Sequence, residues 1–229
     1  MDYLPSQELL DVLVPAYAPC TGFSGKCRSV ARWCPTEGHF PRGFIGAFGD
    51  LDEVQLVIVV AEPGDPFVSD RLEFAVSPRK LVAQTCRATF DSYDKGKDLF
   101  HRNVRFLMNC VFGEMPLEQQ LVRTWITESV LCSAPVETGT VPSAVTRECG
   151  RRYLAKQLAL LKRCPIVALG GKAKRRVGYL KNVDPTLSAR VIGAYAAAPP
   201  GCNQKPARSS WTDAARQVRD RLGNGMCSA

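Results

Sequence analysis

The string Ala61-Glu-Pro-Gly-Asp-Pro66 sets two carboxylates, Glu62 and Asp65, directly after an apolar run. A carboxylate fixed at a strand end can orient or deprotonate a water, or stabilise positive charge that develops on a substrate. The same residues can also cap a following helix or decorate a turn. The second chemical group is sulfur: ten cysteines, at 20, 27, 34, 86, 110, 132, 149, 164, 202 and 227. Met1 to Leu10 lacks a basic stretch followed by an apolar one, so no secretory signal is expected. A disulfide framework is then the weaker expectation, and buried thiols or metal ligation the better ones. The third group is basic. The chain holds 30 Lys and Arg against 22 Asp and Glu, and the excess sits at one end. Residues 1 to 170 carry 19 of each sign, whereas residues 171 to 229 carry 11 basic and 3 acidic. A basic segment joined to a neutral body suggests an anionic partner. Lys172, Lys174, Arg175, Lys205 and Arg208 could meet phosphates without reading a base sequence. The Gly-Gly-Lys at 170 to 172 lacks the rest of a phosphate-binding loop, so an ATPase is excluded.

These groups need elements to hold them. The 229 residues, 45% hydrophobic and 23% charged, describe one globular domain with a substantial core. No apolar run reaches the roughly 18 residues that a membrane helix needs, so no membrane partner is expected. Residues 1 to 50, with four prolines between Pro15 and Pro41 and many glycines, read as an irregular, Cys- and Gly-rich segment. Gln55-Leu-Val-Ile-Val-Val-Ala61 fits a strand buried on both faces. Further strands fit Thr124 to Thr127, Pro165 to Leu169 and Ala189 to Tyr195. Helical periodicity covers Arg71 to Thr89 (with Pro78 interrupting or restarting it), His101 to Phe112, Thr146 to Leu161 and Ser210 to Leu222. Ser209 or Ser210 would cap the last helix, supported by Asp213. His101 reads as a cap or surface residue. Strands alternating with helices predict an α/β three-layer sandwich: a central, mainly parallel four-stranded sheet with helices on both faces. Functional loops should lie beyond the carboxyl ends of its strands.

Five strings, in order, resemble the uracil-DNA glycosylase superfamily, nearest its iron-sulfur branch. They are Val59-Val-Ala-Glu-Pro-Gly-Asp-Pro66, Trp125-Ile-Thr-Glu-Ser-Val-Leu-Cys132, Glu148-Cys-Gly-Arg-Arg-Tyr-Leu154, Ile166-Val-Ala-Leu-Gly170 and Ala198-Pro-Pro-Gly-Cys-Asn203. The strings run from Val59 to Asn203, and the resemblance covers about residues 20 to 222.

The resemblance implies a glycosylase that flips uracil or a related deaminated or damaged base out of DNA, single- or double-stranded, and hydrolyses its bond to the sugar. Glu62 or Asp65 would position the water, and Gly64 would let backbone approach the flipped nucleotide. Phe67 or Phe74 would stack on the base. Glu128 stands where the family has an Asn that reads the base edge; an ionised Glu offers acceptors only. Ala198 stands where the family has a His that assists the departing base. Asn203 and His39 are the nearby candidates for the pocket. Four thiolates, Cys27, Cys34, Cys132 and Cys149, with Cys20 as another possible member, would hold a structural [4Fe-4S] cluster. A zinc site and plain buried thiols remain alternatives. No nucleotide cofactor is implied. A noncatalytic member that binds lesions or abasic DNA is the other reading. An intracellular monomer, in cytoplasm or nucleoid, is expected.

Overall fold

The computed structural model describes residues 3–28, 30–66, 77–134 and 139–223. Five strands form one sheet in the order β1-β3-β2-β4-β5. They are β1 (Ile45–Gly46), β2 (Leu56–Val60), β3 (Thr124–Glu128), β4 (Ile166–Leu169) and β5 (Val191–Ala194). The helices are α1 (Gln7–Leu13), α2 (Pro78–Asp94), α3 (Leu99–Phe112), α4 (Leu117–Val122), α5 (Ser143–Cys149), α6 (Ala155–Leu160), α7 (Gly170–Tyr179), α8 (Leu187–Arg190) and α9 (Ala207–Gly223). A π-helical turn, Gly150–Leu154, joins α5 to α6 without a break. The architecture is the α/β three-layer sandwich expected from the alternation of strands and helices.

β2, β3, β4 and β5 run parallel, with Ile58 opposite both Ile126 and Val167. Every residue of β2, β3 and β4 is buried, which is why β2 and β4 read as continuous apolar runs rather than alternating ones. Only β1 is antiparallel, pairing with β3 through Ile45–Ile126 and Gly46–Trp125. It is the fifth strand, one more than expected. Two residues carry no period-2 pattern, so its signal was steric rather than hydrophobic. Gly46 has φ +105°, and a Cβ there would sit 1.9 Å from the Thr124 carbonyl oxygen. Only glycine lets the chain cross β3 this closely.

The segment expected to be irregular is partly helical. α1 buries Leu9, Leu10 and Leu13 in the main core. Pro78 starts α2 at its first turn, where a missing N–H costs nothing, with Ser77 before it. The part of the expected helix at 71–76 lies outside the described residues. α9 begins at Ala207, before Ser209 and Ser210. Their hydroxyls donate back to the carbonyls of Pro206 and Ala207, and Asp213 pairs with Arg216, so none of the three has the expected capping role.

Candidate functional site

Parallel strands bring their carboxyl ends to one edge of the sheet, and a cavity of about 660 Å³ opens there. β2 and its continuation contribute Val60 to Asp65, β3 contributes Glu128, and β4 contributes Leu169. The loop after β5 adds Ala196, Ala197, Ala198 and Pro199. Thr85, Ala88, Thr89, Ser92 and Tyr93 of α2 form another wall, with Asp98 to Arg102 at the start of α3. Phe40, Arg42 and Gly43 close it from the N-terminal segment.

Glu62 is 8% exposed and clamped. Lys172 Nζ donates to its Oε1 and Arg176 Nη1 to its Oε2. Arg176, itself buried, also donates to the Ala61 carbonyl (2.7 Å) and to Ser129 Oγ (3.1 Å). Lys172 donates further to the Gly139 carbonyl at 2.9 Å. This arrangement stitches α7 to the end of β2. Lys172, expected on the DNA backbone, is therefore engaged inside the protein. Asp65 is the more open carboxylate, 41% exposed, with Arg32 Nη1 at 3.4 Å from its Oδ1. Gly64 lines the cavity between them, and its carbonyl accepts from Arg42 and from Ser133 Oγ.

Glu128 has the opposite environment. It is 5% exposed, and among the described residues it forms no ion pair. Its Oε2 has no hydrogen-bond partner among the described residues. Burial, followed by the negative charge of Glu62, pushes its carboxyl well above the ordinary value of 4.5, against the smaller pull of Arg42 and Arg176. Gly43, at φ +83°, makes room for it: a Cβ there would lie 2.6 Å from Glu128 Oε1.

The pair Asp98–His101 was missed as a site element. Asp98 caps α3 by accepting from the His101 backbone N–H at 3.0 Å. The same carboxylate oxygen lies 2.8 Å from His101 Nδ1. The imidazole packs edge-on against Tyr93 (4.7 Å between ring centres) and Phe100 (5.1 Å) in the cavity wall. The sequence signal was the Asp98-x-x-His101 spacing, which fits a cap; that the cap faces a cavity is a tertiary fact.

His39 is buried but not among the residues that line the cavity. It bridges to Cys34 in an isolated antiparallel contact. Burial, then Arg32 and Arg42, lower its pKa below 6.5. Its neighbours Phe40, Arg42 and Gly43 reach the cavity instead. Asn203 is exposed in the turn Gly201–Asn203 and does not line the cavity. Phe67 and Phe74 lie outside the described residues. Phe40, Tyr93 and Phe100 are the described carbocyclic aromatics of the wall.

A second, small cavity is lined by Cys20, Cys27, Cys132 and Cys149. All four are free thiols. Gly22 fits between the first two: a Cβ there would be 3.0 Å from Cys27 Sγ and 3.3 Å from Cys20 Sγ. Cys34 is elsewhere, with its sulfur 3.5 Å from Thr36 Oγ1. Cys20 and Cys34 stand at equal distance in sequence from Cys27, so spacing could not separate them; the turn Thr21–Ser24 does. Burial, then the neighbouring thiols, raises Cys132 well above its ordinary value, and burial pushes Cys149 to about 12. Among the described residues no three such donors surround one point as a single ion requires. Four thiols lining one cavity are the donor type that an iron-sulfur group uses.

Of the remaining basic candidates, Lys174 and Arg175 are exposed on α7, and Lys205 and Arg208 are exposed at the entry to α9. Arg208 lies 3.9 Å over the Phe106 ring. Among the described residues no helix is long and apolar enough to cross a membrane. The chain matches no known family model and no curated protein.

Proposed function

We propose that this protein is a DNA base glycosylase of the uracil-DNA glycosylase type. The observation that carries the reading is the convergence, in one cavity at the strand ends, of carboxylates on the β2 side and an Asp-held histidine on the α3 side. Hydrolysis of an N-glycosidic bond is accelerated by a water-side carboxylate and by an acid on the leaving-group side. Water adds to the sugar carbon, the carbon–nitrogen bond breaks, and the bonding electrons and a proton go to the base. Asp65, at the open side, is the group for orienting water. Glu62, clamped by two cations, is a fixed anion that positions the β2 end. His101, aligned by Asp98, is the proton source for the departing base. The products are a free base and an abasic site.

Lys174, Arg175, Lys205 and Arg208 supply phosphate contacts on the DNA backbone. Cys20, Cys27, Cys132 and Cys149 would hold a structural [4Fe-4S] cluster, whose iron ions would supply the positive charge that their thiolates need. The protein would act as an intracellular monomer, in cytoplasm or nucleoid. The test is base release from single- and double-stranded DNA carrying uracil, hypoxanthine or xanthine, using anaerobically purified protein. Asp65→Asn and His101→Gln should each lower release by about 10²–10⁴-fold, the usual contribution of a positioned acid or base. Release from no substrate would overturn the reading. Cys20→Ser should lose iron in a metal count, and Cys34→Ser should retain it.

A noncatalytic DNA binder is the second reading. The clamp on Glu62 favours it, because neither oxygen of that carboxylate is left to take a proton from water. DNA binding that weakens with salt, without base release, would select it.

A further inference from the structure

We propose that Tyr195 is a stacking platform for a base of single-stranded DNA, held beside the cavity by the loop that forms one of its walls. The inference rests on reading DNA as the partner, and it assigns the form of DNA that this edge of the molecule takes.

Tyr195 directly follows β5 and precedes the cavity-lining residues Ala196 to Pro199. Burial alternates along this stretch: Ile192 and Ala194 are buried, Gly193 and Tyr195 exposed. Among the described residues, the exposed large apolar side chains are Leu99, Leu160, Val183 and Tyr195, and only the last is aromatic. Its ring is 40% exposed, yet its main chain is fixed. The Tyr195 N–H donates to Ser210 Oγ (3.1 Å), and its carbonyl accepts from Trp211 Nε1 (2.9 Å), both on α9. The next residue, Ala196, fits between two glycines: a Cβ at Gly170 or Gly201 would lie 2.9 or 2.8 Å from its Cβ. The ring thus stands on a rigid base and forms no ring or cation contact among the described residues.

A single exposed tyrosine is ordinary on a protein surface. Its flanks set this one apart. Gly193 carries no side chain, and Lys174 of α7 fills the space: a Cβ at 193 would lie 2.5 Å from Lys174 Cδ. The lysine stem therefore lies across the strand, on the face that Gly193 shares with Tyr195. On the other flank, Ser210 belongs to the first turn of α9, which also carries the exposed Arg208, with exposed Lys205 just ahead. Among the described residues, none of these three cations forms an ion pair.

An aromatic face between cations matches the repeating unit of a nucleic-acid strand, a flat base followed by a phosphate. Bases in a duplex already stack on both faces, and freeing one costs unstacking. A single strand offers its faces openly. Tyr195 takes a base next to the one that enters the cavity, while Lys174, Lys205 and Arg208 meet the phosphates on either side. Cations on both flanks favour a polyanion over a second copy of a chain whose own net charge is +8.

The experiment measures binding of labelled oligothymidine, and of its duplex with oligodeoxyadenosine, to the full-length protein. Neither carries uracil or another deaminated base, so the result does not depend on base release. Wild type should prefer the single strand. Tyr195→Ala should bind it about tenfold or more weakly, the loss of one stacked base, with the duplex unaffected. Tyr195→Phe should keep the affinity, because the ring and not the hydroxyl is used. The added indole fluorescence of Tyr195→Trp should be quenched by the single strand. Lys174→Ala and Arg208→Ala should each lower the slope of log affinity against log salt by about 0.7, and Tyr195→Ala should leave it unchanged. The proposal is overturned if Tyr195→Ala binds the single strand as wild type does, if the Phe variant loses as much as the Ala variant, if single strand and duplex lose equally, or if neither binds. Self-association of wild type that Tyr195→Ala abolishes would also overturn it, by assigning the ring to a second copy. Single-strand binding with these responses, without base release from uracil-containing DNA, would sink the glycosylase reading and leave this one standing; base release by a Tyr195→Ala variant of unchanged affinity would do the reverse.

Discussion

Two glutamates end adjacent parallel strands and differ in almost every other respect. Glu128 closes β3 opposite Val60, and Glu62 lies two residues beyond Val60 on the continuation of the neighbouring strand. Both are nearly excluded from water. Glu62 is held by Lys172 and Arg176; Glu128 has no ion pair among the described residues and an oxygen without a partner. A carboxylate at a strand end is thus not a function in itself. The first serves as an ionic tie between β2 and α7. The second stays as an acid whose unused bonding faces the cavity.

The largest expected effect breaks the tie. Arg176→Met leaves a buried carboxylate with only the more exposed Lys172, and should cost about 3–5 kcal/mol of stability in urea denaturation. If the cost falls within experimental error, Glu62 is solvated and the contrast with Glu128 is lost. Next comes Gly43→Ala, which combines a positive φ with a methyl group driven into Glu128. It should cost about 1–3 kcal/mol. Combining it with Glu128→Ala should recover the part due to overlap and leave the backbone part, as a double-mutant cycle would show. Lys172→Met removes a cation that is 36% exposed while Arg176 stays in place. Solvent screening should hold its cost to at most about 1 kcal/mol.

The subtlest test reads pH. Glu128 holds its proton more tightly in the folded chain than the ordinary value of 4.5 allows in the unfolded one. Its contribution to stability is therefore full below 4.5 and is lost as pH rises through the folded value. Glutamine does not titrate. The stability of Glu128→Gln relative to wild type should then increase with pH above 4.5 and level off once Glu128 ionises in the fold. Thermal melts across that range check it, and a flat difference would mean that Glu128 is already an ordinary carboxylate.

Much of the fold could be read from local pattern. The apolar run of β2 and the Pro-Gly-Asp-Pro string after it located a buried strand and the rim of the cavity, because burial on both faces leaves no polar alternation to hide it. The site was legible in part. Glu62, Asp65 and Glu128 line one cavity, as their strand ends require. His39 and Asn203 do not, and His101 does. Proximity in sequence to a motif does not say which way a loop turns its side chains, and the placing of the α3 start at the cavity beyond β2 and β3 is a long-range arrangement. The choice of Cys20 over Cys34 is of the same kind. Equal spacing from Cys27 is decided only by the turn between residues 21 and 24.

The amino-acid sequence alone determined the α/β class, the parallel core strands, the basic bias of residues 171 to 229 and the residue types available at the strand ends. These follow from periodicity, turn chemistry and composition, which act over a few residues at a time. Tertiary structure decided the state and the company of each group. It sealed Glu62 under two cations, left Glu128 beside Gly43 without an ion pair among the described residues, and brought His101 to the cavity wall. The physical reason is that charge, protonation and hydrogen bonding depend on the distance to partners far away in the chain and on the exclusion of water, and neither exists until the layers close.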